Sequence, residues 1–161
     1  MSPSRSEIFV SWDEIQSLCH SLASEIIAKG LKRDKILAIT RGGLFPAGLL
    51  ARELNIKRIE TIGIITYDAG ASGIGDAGKA TLVKDPDPEF LKGCLIIDDL
   101  VDTGTTLDFI RPKTTDCIFA TVFAKPQGED RVTLFAKAVP QDTWIRFPWD
   151  TRRQFVEPLV K

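Results

Sequence analysis

Acids and hydroxyls crowd into the run Cys94-Leu95-Ile96-Ile97-Asp98-Asp99-Leu100-Val101-Asp102-Thr103-Gly104-Thr105-Thr106-Leu107. Its apolar part, Leu95 to Ile97, has the length and composition of a buried parallel strand, which turns polar where it emerges at its carboxyl end. Here it ends in two adjacent carboxylates, Asp98 and Asp99, and after Leu100 and Val101 comes a third, Asp102. The turn Thr103-Gly104-Thr105-Thr106 then leads into a helical segment opening at Leu107, where free N–H groups and the helix dipole favour an anion. The three hydroxyls add donors, and Gly104 lets backbone approach a phosphate closely. One loop therefore offers a phosphate cradle, and the acids beside it offer a place for ribose hydroxyls and Mg²⁺.

A second turn of this kind lies earlier. The run Ile36-Leu37-Ala38-Ile39 reads as the first central strand and feeds Thr40-Arg41-Gly42-Gly43. Ala47, Leu49, Leu50 and Leu54 follow at helical spacing, with Pro46 in the first turn. A strand, a Gly-Gly turn and a helix N-terminus make another anion site. Arg41 adds a guanidinium fork suited to phosphate oxygens. Taken singly, each turn is also what an ordinary strand-to-helix connection looks like; together they point to a phosphorylated ligand.

The rest of the chain supplies the frame. Ser11 and Glu14 form a capping box, and Ile15, Leu18, Cys19, Leu22, Ile26 and Ile27 recur at helical spacing up to Gly30. Ile59 to Tyr67 is β-branched and reads as a strand. The Gly-, Ala- and Ser-rich stretch Asp68–Gly78 packs poorly and reads as a mobile loop, with Lys79 at its far end. Asp85-Pro86-Asp87-Pro88 is a polar turn. Pro112 stops the helix after Leu107 near Arg111. Cys117–Ala124 is a further buried strand ending in Lys125, which lands on the same sheet edge as Asp98 and Arg41; alone, such a lysine is more often a snorkelling surface charge. Val132–Val139 reads as an edge strand, and the tail around Trp144, Phe147 and Trp149 is aromatic.

Composition narrows the classes. With 161 residues, 43% hydrophobic and 27% charged, the chain fits one globular domain large enough to bury a core. A formal net charge of −1 gives no pull toward nucleic acid. No apolar run is long enough to span a bilayer, and Ser2–Ser6 precede no signal-peptide core. Cys19, Cys94 and Cys117 are widely spaced and read as buried thiols in a reducing compartment. A single histidine, His20, leaves no material for a histidine pair or triad.

The Asp98–Thr106 stretch resembles the ribose-phosphate motif of the type I phosphoribosyltransferases, and Arg41-Gly42-Gly43 resembles their pyrophosphate loop. The likeness to the family's bacterial 6-oxopurine branch extends through Ser11-Trp12-Asp13, Leu50–Leu54, Tyr67-Asp68, Phe123-Ala124-Lys125-Pro126, Pro140–Ile145 and Pro148-Trp149-Asp150. It implies an α/β fold: a doubly wound, mainly parallel central sheet with helices on both faces (core about 8–139) and a small C-terminal base-binding hood (about 140–161), all in one domain. It also implies a non-proline cis peptide near Thr40–Arg41.

The implied activity is Mg²⁺-dependent transfer of phosphoribosyl from 5-phosphoribosyl 1-diphosphate (PRPP) to N9 of guanine, xanthine or hypoxanthine. By the same resemblance PRPP is held by Arg41, Gly42, Lys79 and the run Asp98, Asp99, Leu100, Val101, Asp102, Thr103, Gly104, Thr105 and Thr106, with the metal at Asp98 and Asp99. Asp102 is the general acid or base near purine N7. Lys125 donates to O6, Trp144 stacks on the base, Ile145 packs its edge, and Asp150 lies near the 2-position. The loop before Lys79 acts as a lid. Thr105, standing where relatives have a second glycine, and Thr151-Arg152-Arg153-Gln154 after the hood are departures. A homo-oligomer (tetramer or dimer) in the cytoplasm is implied, with at most loose peripheral association with the inner membrane. A phosphoribosyltransferase of other base specificity and a nucleotide-sensing regulator on the same fold are the alternatives.

Overall fold

The computed structural model of the chain describes residues 6–66 and 79–150. Helix α1 (Trp12–Ala28) starts on the anticipated cap: the Glu14 amide donates to Ser11 Oγ at 3.1 Å, and Gly30 lies just beyond the end at φ +66°. Ile15, Cys19, Leu22, Ala23 and Ile26 are buried along one face. Ile27, counted in the periodic set, is instead exposed, because it falls beyond the edge of the buried stripe.

Strands β2 (Lys35–Thr40), β3 (Arg58–Thr66), β4 (Ala80–Lys84), β5 (Leu95–Val101), β6 (Ile118–Ala124) and β7 (Leu134–Ala138) form one sheet. Their spatial order is β4-β3-β2-β5-β6-β7, parallel throughout except for the β3–β4 pair. Side chains of the central strands alternate between two cores. Ile36, Ala38, Leu95 and Ile97 pack with α1 and with α2 (Leu44–Glu53), whereas Leu37, Ile39 and Ile96 pack with Leu107 and Ile110 of α3 (Thr105–Ile110) on the other face. The sheet is thus doubly wound. The chain leaves β2 toward one edge and β5 toward the other, so the carboxyl ends of β2 and β5 flank the reversal point, where open α/β sheets bind ligands.

Several details depart from the sequence reading. β5 does not stop at the acids but runs through them to Val101, because β6 continues alongside and pairs Asp98 with Thr121, Leu100 with Phe123 and Val101 with Ala124. α3 opens at Thr105 and not at Leu107, directly after Gly104 in the left-handed region at φ +87°. β4 was not anticipated; it is a five-residue edge strand that pairs antiparallel with β3. Cys94 and Cys117, distant in sequence, bring their sulfurs to 3.4 Å at the amino ends of β5 and β6, both remaining free thiols. Burial pushes the Cys19 thiol up to about 12.

The tail forms a separate small sheet in which β8 (Trp144–Arg146) pairs in parallel with an unanticipated strand, β1 (Glu7–Phe9). Polar contacts fasten this pair: Trp144 N–H donates to the Ser6 carbonyl at 2.7 Å, and Arg146 Nε meets Glu7 Oε1 at 2.7 Å. Phe147 stacks on Trp149 and Trp149 on Phe45, each at 4.6 Å between ring centroids, which seats the hood on the first turn of α2. Tyr67, the Asp68–Gly78 stretch and Thr151–Gln154 lie outside the described residues. Among the described residues, no helix is long and apolar enough to cross a membrane.

Ser11→Ala removes the acceptor for the Glu14 amide. It is expected to lower stability by about 1 kcal/mol, read as a lower urea midpoint at unchanged m-value. An unmoved midpoint would mean that packing alone sets the start of α1.

Candidate active site

At the reversal point lies a cavity of about 650 Å³. Every residue from Asp98 to Thr106 lines it, facing Lys125 and the hood residues Trp144, Ile145 and Asp150. The sequence reading had picked out all of these. It had missed Thr66, Leu107 and Phe147, which also line the cavity; only their positions at element ends, not their types, could have pointed to them. Arg41, Gly42 and Lys79 are not among the lining residues. Arg41 is exposed on the turn after β2, and Lys79 is exposed just ahead of β4.

The first phosphate-type turn nevertheless abuts the acids at the end of β5. The Thr40–Arg41 peptide is cis, and the chain then passes so close to β5 that a Cβ on Gly42 would stand 2.1 Å from Asp99 Oδ2. A Cβ on Gly43 would stand 2.5 Å from the carbonyl oxygens of both Ile39 and Ile97. The glycines are there because nothing larger fits. On the other side Gly104 occupies the left-handed region that glycine tolerates. Thr105 follows as the first helical residue, a conformation any L-residue adopts, so the missing second glycine leaves the turn intact. The Thr103 and Thr105 hydroxyls lie 3.0 Å apart, leaving a cluster of O–H and N–H groups at the mouth of α3.

Asp98 and Asp99 stand where ionisation is disfavoured. Burial, then the neighbouring Asp99 charge, raises Asp98 well above the ordinary carboxylate range. Burial likewise pushes Asp99 up to about 6; hydrogen bonds from its surroundings oppose the shift, and the Asp150 charge across the cavity adds to it. The Asp99 amide donates to Asp98 Oδ1 at 2.9 Å.

The end of the cavity at Lys125 is built differently. Lys125 is no snorkelling lysine: its side chain is 7% exposed, and its Nζ donates to Asp102 Oδ2 at 2.8 Å. A buried ammonium requires such a partner. Asp102 itself sits at the rim, its backbone pressed by Gly128, where a Cβ would come within 2.8 Å of the Asp102 carbonyl oxygen. Trp144, 43% exposed, and the buried Ile145 line the same cavity. Asp150 Oδ2 accepts the Phe147 N–H at 3.1 Å, which closes the hood turn and fixes that carboxylate at the cavity edge. A slot between a flat indole and a lysine–aspartate pair, beside a phosphate cradle, has the parts to hold a heterocycle joined to a phosphorylated sugar.

The raised acids have a consequence for stability. A carboxyl whose pKa rises on folding binds its proton more tightly in the native state, so stability falls where the native state still holds a proton the unfolded chain has lost. In EDTA the protein should therefore lose stability as pH climbs from about 4 through about 6, where Asp99 titrates, with the raised Asp98 adding to the decline. Asp98→Asn with Asp99→Asn should flatten that decline and raise stability at pH 7 by on the order of 1 kcal/mol or more. Urea midpoints from pH 4 to 8 check this; the same decline in mutant and wild type would place the titrating groups elsewhere.

Comparison with known proteins agrees with this geometry. A family profile described as phosphoribosyl transferase domain matches residues 11–155. Xanthine-guanine phosphoribosyltransferase of Roseobacter denitrificans is 41% identical across 97% of this chain and 92% of its own, and that of Desulfotalea psychrophila is 44% identical across 94% and 91%. The crystal structure of a purine phosphoribosyltransferase from Pyrococcus horikoshii shares the fold, with TM-score 0.71 at 23% identity over 95% of this chain and 99% of that one. With the matched domain, the shared fold and the cavity at the strand reversal in agreement, the chain belongs to the phosphoribosyltransferase family, glycosyl-transferring enzymes, among the relatives named xanthine-guanine phosphoribosyltransferases.

Proposed function

We propose that this enzyme transfers phosphoribosyl from PRPP to N9 of a 6-oxopurine, releasing pyrophosphate and the nucleoside 5′-monophosphate for purine salvage. The observation that carries the reading is the buried Lys125 paired with Asp102 at the rim, in one cavity with the Thr103–Thr106 turn and Trp144. In this reading the N–H and O–H donors of Thr103–Thr106 anchor the 5′-phosphate, and the turn at Arg41 and Gly42, with Lys79, meets the pyrophosphate. Anchoring at both ends makes the attack effectively intramolecular. Asp98 and Asp99 accept from the ribose hydroxyls.

Mg²⁺ fits the acid pair: two adjacent, partly buried carboxyls, each held above its ordinary range by burial, would give up their protons to a divalent cation, an ion that takes most of its other ligands from phosphate oxygens and water. Bound there, it would neutralise the departing pyrophosphate.

At the base, N9 forms its bond to C1′ as the bond from C1′ to the pyrophosphate oxygen breaks, and Asp102 takes the proton from N7. Lys125 donates to O6, Trp144 stacks on the ring, Ile145 packs its edge, and Asp150 faces the 2-position. A 6-oxo group accepts from the ammonium; a 6-amino group does not and leaves the buried donor unpaired. That costs about 1–3 kcal/mol, or roughly tenfold to a few hundredfold in discrimination. A dimer or tetramer of this chain, in the cytoplasm, belongs to the same reading.

Pyrophosphate release with Mg²⁺, PRPP and a panel of bases tests the reading. Many turnovers per site are expected with guanine, xanthine or hypoxanthine and few with adenine. Lys125→Ala should erode the guanine-to-adenine ratio of kcat/KM by tenfold or more, while Trp144→Ala raises KM for all bases together, since every purine has a π-face. A ratio unchanged by Lys125→Ala would remove the lysine from base selection. Stoichiometric nucleotide binding without product would favour a sensor on this fold.

A further inference from the structure

We infer that Gln141 is a positioning residue for Asp102, the tether that keeps its carboxylate in place while the purine takes over its other partner. The inference rests on the reading of Asp102 as the proton-transfer group. Each oxygen of the Asp102 carboxylate has one donor: Lys125 Nζ on Oδ2 at 2.8 Å, and Gln141 Nε2 on Oδ1 at 2.6 Å. The far side of the same amide is also engaged, because the Gln127 N–H donates to Gln141 Oε1 at 2.9 Å. Only an acceptor can face that N–H, so the bonding pattern itself fixes the amide with its NH₂ toward Asp102. One side chain thus joins the acid after β5, the turn after Lys125 and the entry to the hood two residues before Thr143.

Chemistry explains why a second holder is needed. Asp102 lies exposed at the rim, and an unrestrained carboxylate there would sample several rotamers. Lys125 alone cannot restrain it during turnover. When a 6-oxo group arrives, the ammonium turns to O6, and Oδ2 is released to meet N7–H. Gln141 on Oδ1 holds the carboxylate across that exchange. A neutral amide does so without adding a second cation to compete with Lys125. A displacement of about 1 Å at a reacting group can cost on the order of a hundredfold in rate.

Steady-state kinetics with PRPP and guanine on Gln141→Ala, Gln141→Glu, Asp102→Asn and the double variant Asp102→Asn/Gln141→Ala separate this from a structural brace, with circular dichroism confirming the fold of each. Gln141→Ala should lower kcat tenfold or more and leave KM for PRPP unchanged. Gln141→Glu keeps an acceptor for the Gln127 amide, so it would rescue a mere brace. It sets a second carboxylate against Asp102, however, and should be as slow as Gln141→Ala or slower. The double variant should be no slower than Asp102→Asn alone. Wild-type kcat in Gln141→Glu, or in Gln141→Ala, overturns the proposal while the role of Asp102 stands; so does an equal loss from Gln141→Ala with and without Asp102. Full activity in Asp102→Asn instead removes the proton-transfer role itself, and the proposal with it.

Discussion

Between the turn after β2 and the end of β5 there is room for a hydrogen atom and nothing larger. That close approach, Gly42 on the Asp99 carboxylate and Gly43 on two main-chain carbonyls, is the constraint from which the site follows. It seats the turn after β2 directly against the acids at the end of β5. It also crowds the Asp99 carboxyl, and burial is the first cause of its raised pKa. The fold thus accepts an electrostatic penalty where the two acids stand, and sequences that relieve the penalty would alter what the acids can hold.

The two ends of the cavity solve the problem of buried charge in opposite ways. Where β5 ends, two partly buried carboxylates stand side by side. At the other end a buried cation is already paired, Lys125 with Asp102. A ligand must offer something better than the pair offers itself. An acceptor placed over Lys125 and a proton placed over Asp102 do so simultaneously; a proton alone leaves the buried lysine wanting.

Most of the scaffold was legible because it is written in local rules. The Ser11 cap, the apolar run into Asp98, the Gly42-Gly43 and Thr103–Thr106 turns and the stop at Pro112 each depend on neighbours a few residues away. Sites placed at strand ends inherit that legibility, which is why the Asp98–Thr106 run was found whole. What escaped depends on partners far along the chain. β1 is three residues long and exists through its pairing with β8, and β4 exists through its pairing with β3. The burial of Lys125 is set by elements gathered around it, and its type alone pointed to a surface charge. Gln141 carries no mark in the sequence at all: an amide becomes a tether only once Gln127 and Asp102 stand on either side of it.

The pairing of β1 with β8 has a bearing on how the protein comes into being. Ser6 and Thr143 touch across 137 positions of chain, and Trp144, which borders the cavity, sits on that seam. A chain emerging from the ribosome can lay β2, β3 and β5 together and complete the phosphate cradle while residues 6–9 still wait for a partner. The cavity wall that carries Trp144 closes only when residues 143–146 arrive. Nascent molecules therefore pass through an interval in which the acid-and-hydroxyl loop after β5 is formed and the wall opposite it is not. The same seam is where loss of order at either strand would first be felt, at that wall ahead of any loss of the core.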